Sequence, residues 1–278
     1  MTTGMSWGAI SVINAMPGGV GATIGTKLTT RSDFVPGGDE RVVNIINDPK
    51  ESTMLAELCV SAAYNATGAE EPDGWHLSTF SEMPPSKGLK SSSSACNSII
   101  SAVLEGLGFV TDPLTVIKMG VECARRAKVT RTGSFDDACG CHYGGFVMTD
   151  NYTDSIIFLE NIPKYDVVLH IPDLKIRKEG IDLGPLRKAA IAQREAIALA
   201  KRDPMAAMTL NGRIIAEASG LDNSIAEMSL KAGALGAGIS GSGPSTAIVL
   251  KHGTAKAFLK NTGLNDVIVT ETRRLNEI

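Results

Sequence analysis

The sequence has no excess of positive charge, and it has no long apolar runs. Its 27 Lys and Arg residues are outnumbered by 30 Asp and Glu residues, which gives a formal net charge of −3. Binding to a nucleic-acid backbone needs a surplus of basic residues on one face, so we expect no nucleic-acid partner. No stretch of about 18 apolar residues occurs, which argues against a membrane-spanning helix.

Cysteines are also few. The five cysteines are scattered and odd in number, which is typical of reduced thiols and not of a disulfide framework. The opening segment MTTGMSWGAISVINAM has no basic stretch followed by an apolar core, so we expect no secretory signal and a cytoplasmic location. The 278 residues are 43% hydrophobic and 21% charged, as in an ordinary globular protein of one large or two small domains.

Predicted strands dominate the first part of the chain, and predicted helices dominate the second. The strands cover 6–14, 24–33, 41–47, 75–84, 144–151, 154–162, 165–172, 245–251 and 266–274. The helices cover 48–68, 92–106, 112–128, 184–203, 205–219, 222–233 and 254–262. This segregation predicts an α+β fold of two lobes and not a regularly alternating parallel sheet. We place the domains at 1–158 and 159–278.

The segment PPSKGLKSSSSA, residues 84–95, puts four serines at the start of a predicted helix. A helix start leaves several N–H groups unpaired and carries about half a positive charge. Hydroxyl groups and lysines at that end favour an anion, and phosphate is the usual one. Capping of the helix is the alternative, but one serine is enough for a cap. The four serines with Lys87 and Lys90 therefore favour phosphate binding.

The familiar phosphate-binding motifs do not fit. GGVGATIGTK, residues 18–27, resembles the P-loop motif, but its spacing is wrong. GAGISG, residues 236–241, matches G-x-G-x-x-G, but it follows a predicted helix and leads into a strand. A dinucleotide-binding fingerprint needs the opposite order.

Two of these segments together resemble the GHMP kinases, a family that includes galactokinase, homoserine kinase and mevalonate kinase. PPSKGLKSSSSA is similar to that family's second motif, P-x-x-x-G-L-G-S-S-A. GAGISGSGPST, residues 236–246, is similar to the third motif, a glycine-rich turn that lies beside the phosphate loop. Lys90 in place of a glycine, together with TRTGSFDDA (130–138), resembles the archaeal-type shikimate kinase branch. The resemblance covers most of the chain.

The resemblance implies a GHMP kinase fold, with an N-terminal ribosomal-S5-like lobe and a C-terminal ferredoxin-like lobe. It implies ATP and Mg²⁺ as cofactors and the 3-hydroxyl of shikimate as the phosphoryl acceptor, in a monomer or a homodimer. A kinase for another small alcohol, such as homoserine or mevalonate, is the first alternative. A non-catalytic nucleotide or metabolite sensor on the same fold is the second.

The resemblance also assigns roles to residues. The expected ATP-binding residues form one loop: Pro85, Ser86, Lys87, Gly88, Leu89, Lys90, Ser91, Ser92, Ser93 and Ser94. The expected Mg²⁺ ligands are Ser91, Ser92 and Glu122. Asp137 is the expected catalytic aspartate, which takes the acceptor's proton or orients its hydroxyl, with Asp136 beside it. The expected substrate-binding residues are Gly19, Gly21, Arg131, Asp137, Gly241, Ser242 and Gly243.

The first glycine-rich motif departs from the family. It has Val20 where related chains tend to have a lysine that pairs with the catalytic aspartate. Lys27, Lys87 and Arg131 are the cations that could replace that lysine. Arg131 and Arg31 are candidates for holding an acceptor carboxylate, because a planar guanidinium matches a carboxylate in bidentate fashion.

Overall fold

The computed structural model describes residues 1–130, 132–173 and 183–277. The strands in these ranges are β1 (Thr2–Ile13), β2 (Val20–Pro36), β3 (Arg41–Ile45), β4 (Trp75–Ser81), β5 (Phe146–Asp150), β6 (Ser155–Glu160), β7 (Tyr165–His170), β8 (Gly236–Ile239), β9 (Thr246–Lys251) and β10 (Val267–Glu271). The helices are α1 (Met54–Thr67), α2 (Ser91–Gly106), α3 (Pro113–Arg126), α4 (Phe135–Tyr143), α5 (Leu183–Ala200), α6 (Pro204–Ser219), α7 (Ser224–Lys231) and α8 (Ala255–Thr262). The predicted α+β class is confirmed.

The long strand β2 organises the first sheet. It pairs antiparallel with β1 along most of its length, with β4 through its C-terminal half and with β5 through its N-terminal half. The strand order is β3-β4-β2-β5-β6, with β1 also on β2. Helix α2 packs on β1 and β2, so the first sheet supports the serine-rich helix directly.

The second sheet has the strand order β10-β7-β9-β8, and all of its pairs are antiparallel. Along the described chain, strands and helices follow the β-α-β-β-α-β sequence of a ferredoxin-like unit, with α5 to α7 before β8 and α8 before β10. The first sheet ends at Glu160 and the second begins at Tyr165. The domain boundary between residues 158 and 159 stays a prediction.

The two sheets share one hydrophobic core. Ile10 and Ile24 of the first sheet belong to the same buried cluster as Val167 and Val249 of the second. Burying each such side chain stabilises the fold by about 1.5–3 kcal/mol. The shared core therefore fixes the loops of one sheet against the loops of the other. No helix of the described residues combines the length and the apolar character that crossing a membrane requires.

Two elements differ from their prediction. Residues 135–143, expected as an acidic loop, form helix α4, in which seven consecutive residues from Phe135 to Cys141 are buried. Because α4 is buried all round, it has no apolar periodicity that would reveal a helix. Residues 236–239, expected as a turn, form β8. Its two glycines have low intrinsic strand preference, and pairing with β9 supplies the missing stability.

Candidate active site

The phosphate loop, residues 88–94, enters helix α2 through a left-handed backbone. Gly88 has φ +78° and Lys90 has φ +69°, a region that glycine adopts most easily. A Cβ atom on Gly88 would lie 2.0 Å from the Ser240 carbonyl oxygen. The Ser240 hydroxyl also donates a hydrogen bond of 3.0 Å to the Gly88 carbonyl. The glycine-rich turn of the second lobe thus lies against the phosphate loop, as the family pattern predicts.

A cavity of about 350 Å³ opens beside the start of α2. The expected ATP-binding residues all line it, apart from Lys87 and Ser94. Ser94 is fully buried in the helix, and the Lys87 amine donates to the Pro172 carbonyl across to the second lobe. We call this space the larger cavity.

Sequence reasoning missed the rest of the larger cavity. Its apolar side includes Ile45, Met54, Leu55, Ile99 and Val129. Two carboxylates, Asp48 and Glu51, also line it. These residues come from β3, the loop between β3 and α1, α1, α2 and the segment after α3. No short motif contains them, so only the fold brings them together. An apolar wall with a few polar groups is typical of a small-molecule site.

A second cavity of about 30 Å³ adjoins the first. We call it the smaller cavity. It is lined by Ser11, Asn14, Ala15, Met16, Lys90, Thr132, Ser134, Asp136, Asp137, Gly241 and Ser242. Lys90, Asp137, Gly241 and Ser242 line both cavities. The two spaces therefore meet at one lysine, one carboxylate and the glycine-rich turn.

The junction contains a buried ion pair. Lys90 Nζ lies 2.6 Å from Asp137 Oδ1, and the two side chains are 3% and 9% exposed. Lys90 Nζ also donates 2.7 Å to the Ser11 hydroxyl, which accepts a hydrogen bond from the Gly241 amide. Burial opposes the charge on Lys90, but the charges of Asp137 and Asp136 outweigh it and raise the pKa of Lys90.

Lys90 makes the contact that the resemblance assigns to the missing lysine of the first motif. Val20 packs into the core shared by the sheets, whereas the next residue, Gly21, lies against Asp136. Successive residues of a strand point to opposite faces, so the Val20 side chain points away from the acidic helix. Lys27, one of the proposed substitutes, pairs instead with Glu271 and Glu277.

Helix α4 presents its two aspartates to the smaller cavity from its first turn. The Asn151 side chain donates 2.7 Å to Asp136 Oδ1, and Asn151 Oδ1 accepts from the Asp136 amide at 3.1 Å. Burial and the charge of Asp137 raise the pKa of Asp136 to about 6, although Lys90 and Asn151 act in the opposite direction.

The other end of α4 is held by Arg273. This side chain is 2% exposed, and it donates 2.7 Å to the His142 carbonyl and 3.1 Å to the Cys141 carbonyl. Its guanidinium lies 4.0 Å from the ring centroid of Trp7. A cation at the last carbonyls of a helix complements the helix dipole. Arg273, contributed by the second lobe, therefore anchors the acidic helix.

Several predicted site residues do not reach the cavities. Glu122 is 62% exposed on α3 and lies 4.0 Å from Arg125; the structure does not bring it to the phosphate loop. Arg31 forms an exposed pair with Asp33. Gly19, Gly21 and Gly243 are not among the lining residues, although Gly21 packs against Asp136. Arg131 lies outside the described residues.

The fold and the site define a class of protein. Residues 54–145 match the family model of the GHMP kinases N terminal domain, and residues 193–262 match that of the GHMP kinases C terminal domain. The chain belongs to the GHMP kinase family.

The relatives narrow the class. The chain is 35% identical to the shikimate kinase of Pyrococcus abyssi, over 87% of this chain and 89% of that protein. It is also 35% identical to the shikimate kinase of Methanosarcina mazei, over 90% and 86% of the two chains. The solved mevalonate kinase of Methanococcus jannaschii superposes with a TM-score of 0.80 at 14% identity, over 99% of this chain and 98% of that chain. At that identity the superposition shows the fold alone.

Proposed function

We propose that the protein transfers the terminal phosphoryl group of ATP to the 3-hydroxyl of shikimate, giving shikimate 3-phosphate and ADP. The observation that carries the proposal is the junction of the two cavities at Lys90 and Asp137. Curated relatives at about one-third identity, over most of the chain, are shikimate kinases. A reaction between a nucleotide and a small alcohol needs two adjoining spaces that share a catalytic group.

In the proposed reaction, the nucleotide and the acceptor each have one cavity. ATP occupies the larger cavity, with its phosphates against the amides and hydroxyls at the start of α2. The hydroxyl-bearing edge of the acceptor reaches into the smaller cavity, because a volume of about 30 Å³ cannot hold the whole molecule. Its hydroxyl oxygen forms the new bond to the terminal phosphorus as the bond to the ADP oxygen breaks, and Asp137 takes the hydroxyl proton. Lys90 holds the Asp137 carboxylate in place and adds positive charge where the phosphoryl group passes.

Magnesium fits the polar side of the larger cavity. Mg²⁺ usually takes one or two protein oxygens together with substrate phosphates, and the hydroxyls of Ser91 and Ser92 line the cavity at the helix start. Glu122 is too exposed on α3 to complete that set. When bound, Mg²⁺ neutralises charge on the phosphates.

The alternatives have less support. The sensor hypothesis depended on the missing lysine at position 20, and the contact between Lys90 and Asp137 removes that reason. The mevalonate and homoserine kinases are structural neighbours at 14% and 19% identity, which speaks for fold only. We place the enzyme in the cytoplasm, as a monomer or a homodimer.

The test is ADP release in a coupled assay with shikimate, homoserine and mevalonate offered in parallel. We expect turnover with shikimate and background rates with the other two. The Asp137→Asn variant, prepared in the same way, controls for contaminating ATPase activity. Turnover with homoserine or mevalonate would reassign the acceptor, and ATP binding without turnover of any acceptor would revive the sensor.

A further inference from the structure

The mechanism above uses Asp137 and leaves Asp136 without a role. Asp136 is 3% exposed and is one of the residues that line the smaller cavity. It does not line the larger cavity, unlike Asp137. Its position therefore associates it with the acceptor and not with the nucleotide.

The carboxyl group of Asp136 is fixed from several sides. Asn151 donates to Oδ1, and the Thr149 hydroxyl donates 2.7 Å to Asn151 Oδ1, which orients the amide. Gly21 lies beneath the carboxyl, because a Cβ atom there would be 2.4 Å from both Cγ and Oδ2 of Asp136. Any side chain at position 21 would displace the acid. The glycine of the first motif thus makes room for Asp136.

This arrangement leaves acceptor capacity unused. A carboxylate offers about four lone-pair sites. The protein supplies donors from the Asn151 side chain and from the Asp137 amide. Half of the other residues that line the cavity with Asp136 carry hydroxyl or amide side chains: Ser11, Asn14, Thr132, Ser134 and Ser242.

Keeping a carboxylate here has a cost. Burial and the neighbouring Asp137 oppose its charge, as the raised pKa of about 6 shows. An asparagine would fill the same volume and still accept from Asn151. A costly buried acid at a site is a mark of function, and hydroxyl donors from a ligand would offset that cost.

We propose that Asp136 accepts a hydrogen bond from the hydroxyl next to the one that is phosphorylated, so that the site selects a vicinal diol. Asp136 and Asp137 are consecutive, with Cα atoms about 3.8 Å apart, and both line the same small cavity. In this proposal, each of two neighbouring ring hydroxyls meets one of the two aspartates. This inference rests on the proposed function and makes Asp136 the residue that recognises the diol.

The test compares two acceptors in two proteins. The acceptors are shikimate and an analogue in which hydrogen replaces the hydroxyl next to the reacting one. The proteins are the wild type and Asp136→Asn, with the exposed Asp39→Asn as the charge control. We expect the wild type to prefer shikimate by about 10- to 100-fold in kcat/KM, the range for a lost hydrogen bond to a charged group. For Asp136→Asn, kcat/KM with shikimate should fall by that same factor, and little preference for shikimate over the analogue should remain. The KM for ATP should stay unchanged.

The outcomes separate the two proposals. Equal losses on both acceptors in Asp136→Asn would overturn the diol role and leave Asp136 as a structural residue. A wild type that phosphorylates shikimate without discriminating against the analogue would overturn it even if the variant did not fold. A wild type that phosphorylates neither acceptor would overturn the proposed function itself, and the diol proposal with it.

Discussion

Helices α2 and α4 both begin at the same junction, but the residues in their first turns differ in charge. Each follows a residue with a left-handed backbone, Lys90 before α2 and Ser134 before α4. The first turn of α2 contains serines and no acid, whereas the first turn of α4 contains Asp136 and Asp137. The α2 end opens to the larger cavity, and the α4 end opens to the smaller one.

The difference shows how one physical effect serves two purposes. The partial positive charge of a helix start attracts an anion. At α2 the first turn has no acid of its own, which fits the phosphate site that we propose there. At α4 the anions belong to the protein, so the dipole favours two buried carboxylates. Lys90, the last residue before α2, joins the two ends through its ion pair with Asp137.

The largest expected effect comes from removing the acid at the junction. Asp137→Asn keeps the shape of α4 but removes the group that takes the hydroxyl proton, so kcat should fall about 10²- to 10⁴-fold. The Kd for ATP should stay nearly unchanged, because the α2 end is intact. Steady-state kinetics and calorimetric titration measure both quantities. A variant that keeps full kcat would place the base elsewhere.

Breaking the link between the two ends is the next test. Lys90→Met removes the Lys90 charge from the buried Asp137 carboxylate, and removal of one partner of a buried pair costs about 3–5 kcal/mol. We expect a lower free energy of unfolding in urea and a large loss of kcat. The exposed Lys118→Met, on α3, is the matched control.

A double variant sharpens that result. Lys90→Met/Asp137→Asn should recover part of the lost stability, because both partners of the ion pair are then removed together. If the two stability losses simply add, the contact in the structure has no energetic role.

The pH dependence of stability tests the α4 end alone. The folded-state pKa of Asp136, about 6, lies above its ordinary value of 3.8. The folded state therefore binds more protons between about pH 4 and 6, and stability is lost as pH rises through that window. Relative to Asp136→Asn, the wild type should lose up to about 3 kcal/mol between pH 4 and pH 7. Urea unfolding across this range measures the difference, and parallel profiles would contradict the raised pKa.

The smallest effect is expected at the α2 end. Ser91→Ala/Ser92→Ala removes hydroxyls but not the backbone amides, so the Kd for Mg-ATP should rise only about tenfold. Ser101→Ala makes the same change later in α2 and serves as the control. An unchanged Kd in the double variant would show that the two serine hydroxyls do not contribute to Mg-ATP binding.

The two ends also differ in how well the sequence predicts them. The α2 end is a local motif, since glycine, lysine and serines lie within seven residues and report a helix start directly. The α4 end depends on distant residues: Gly21, Asn151 and Arg273 each contact it from another element. A buried helix without apolar periodicity has no helix signal in its own sequence. For this reason the sequence predicts a loop where α4 forms.

Lys90 shows, at a single position, the same limit of prediction from sequence. Its place in the phosphate loop predicts contact with phosphate, and only the fold shows that its side chain turns to Asp137 and Ser11. The strands apart from β8, and the helices apart from α4, were predictable because their apolar patterns are regular. The junction was not, because it joins residues from β1, the phosphate loop, α4 and the glycine-rich turn.

A structure of the protein with a non-hydrolysable ATP analogue and Mg²⁺ tests the central claim most directly. The account predicts the triphosphate against the amides of residues 88–94, with its last phosphate at the junction beside Lys90 and Asp137. A triphosphate bound away from α2, or a terminal phosphate that does not reach the junction, would contradict it.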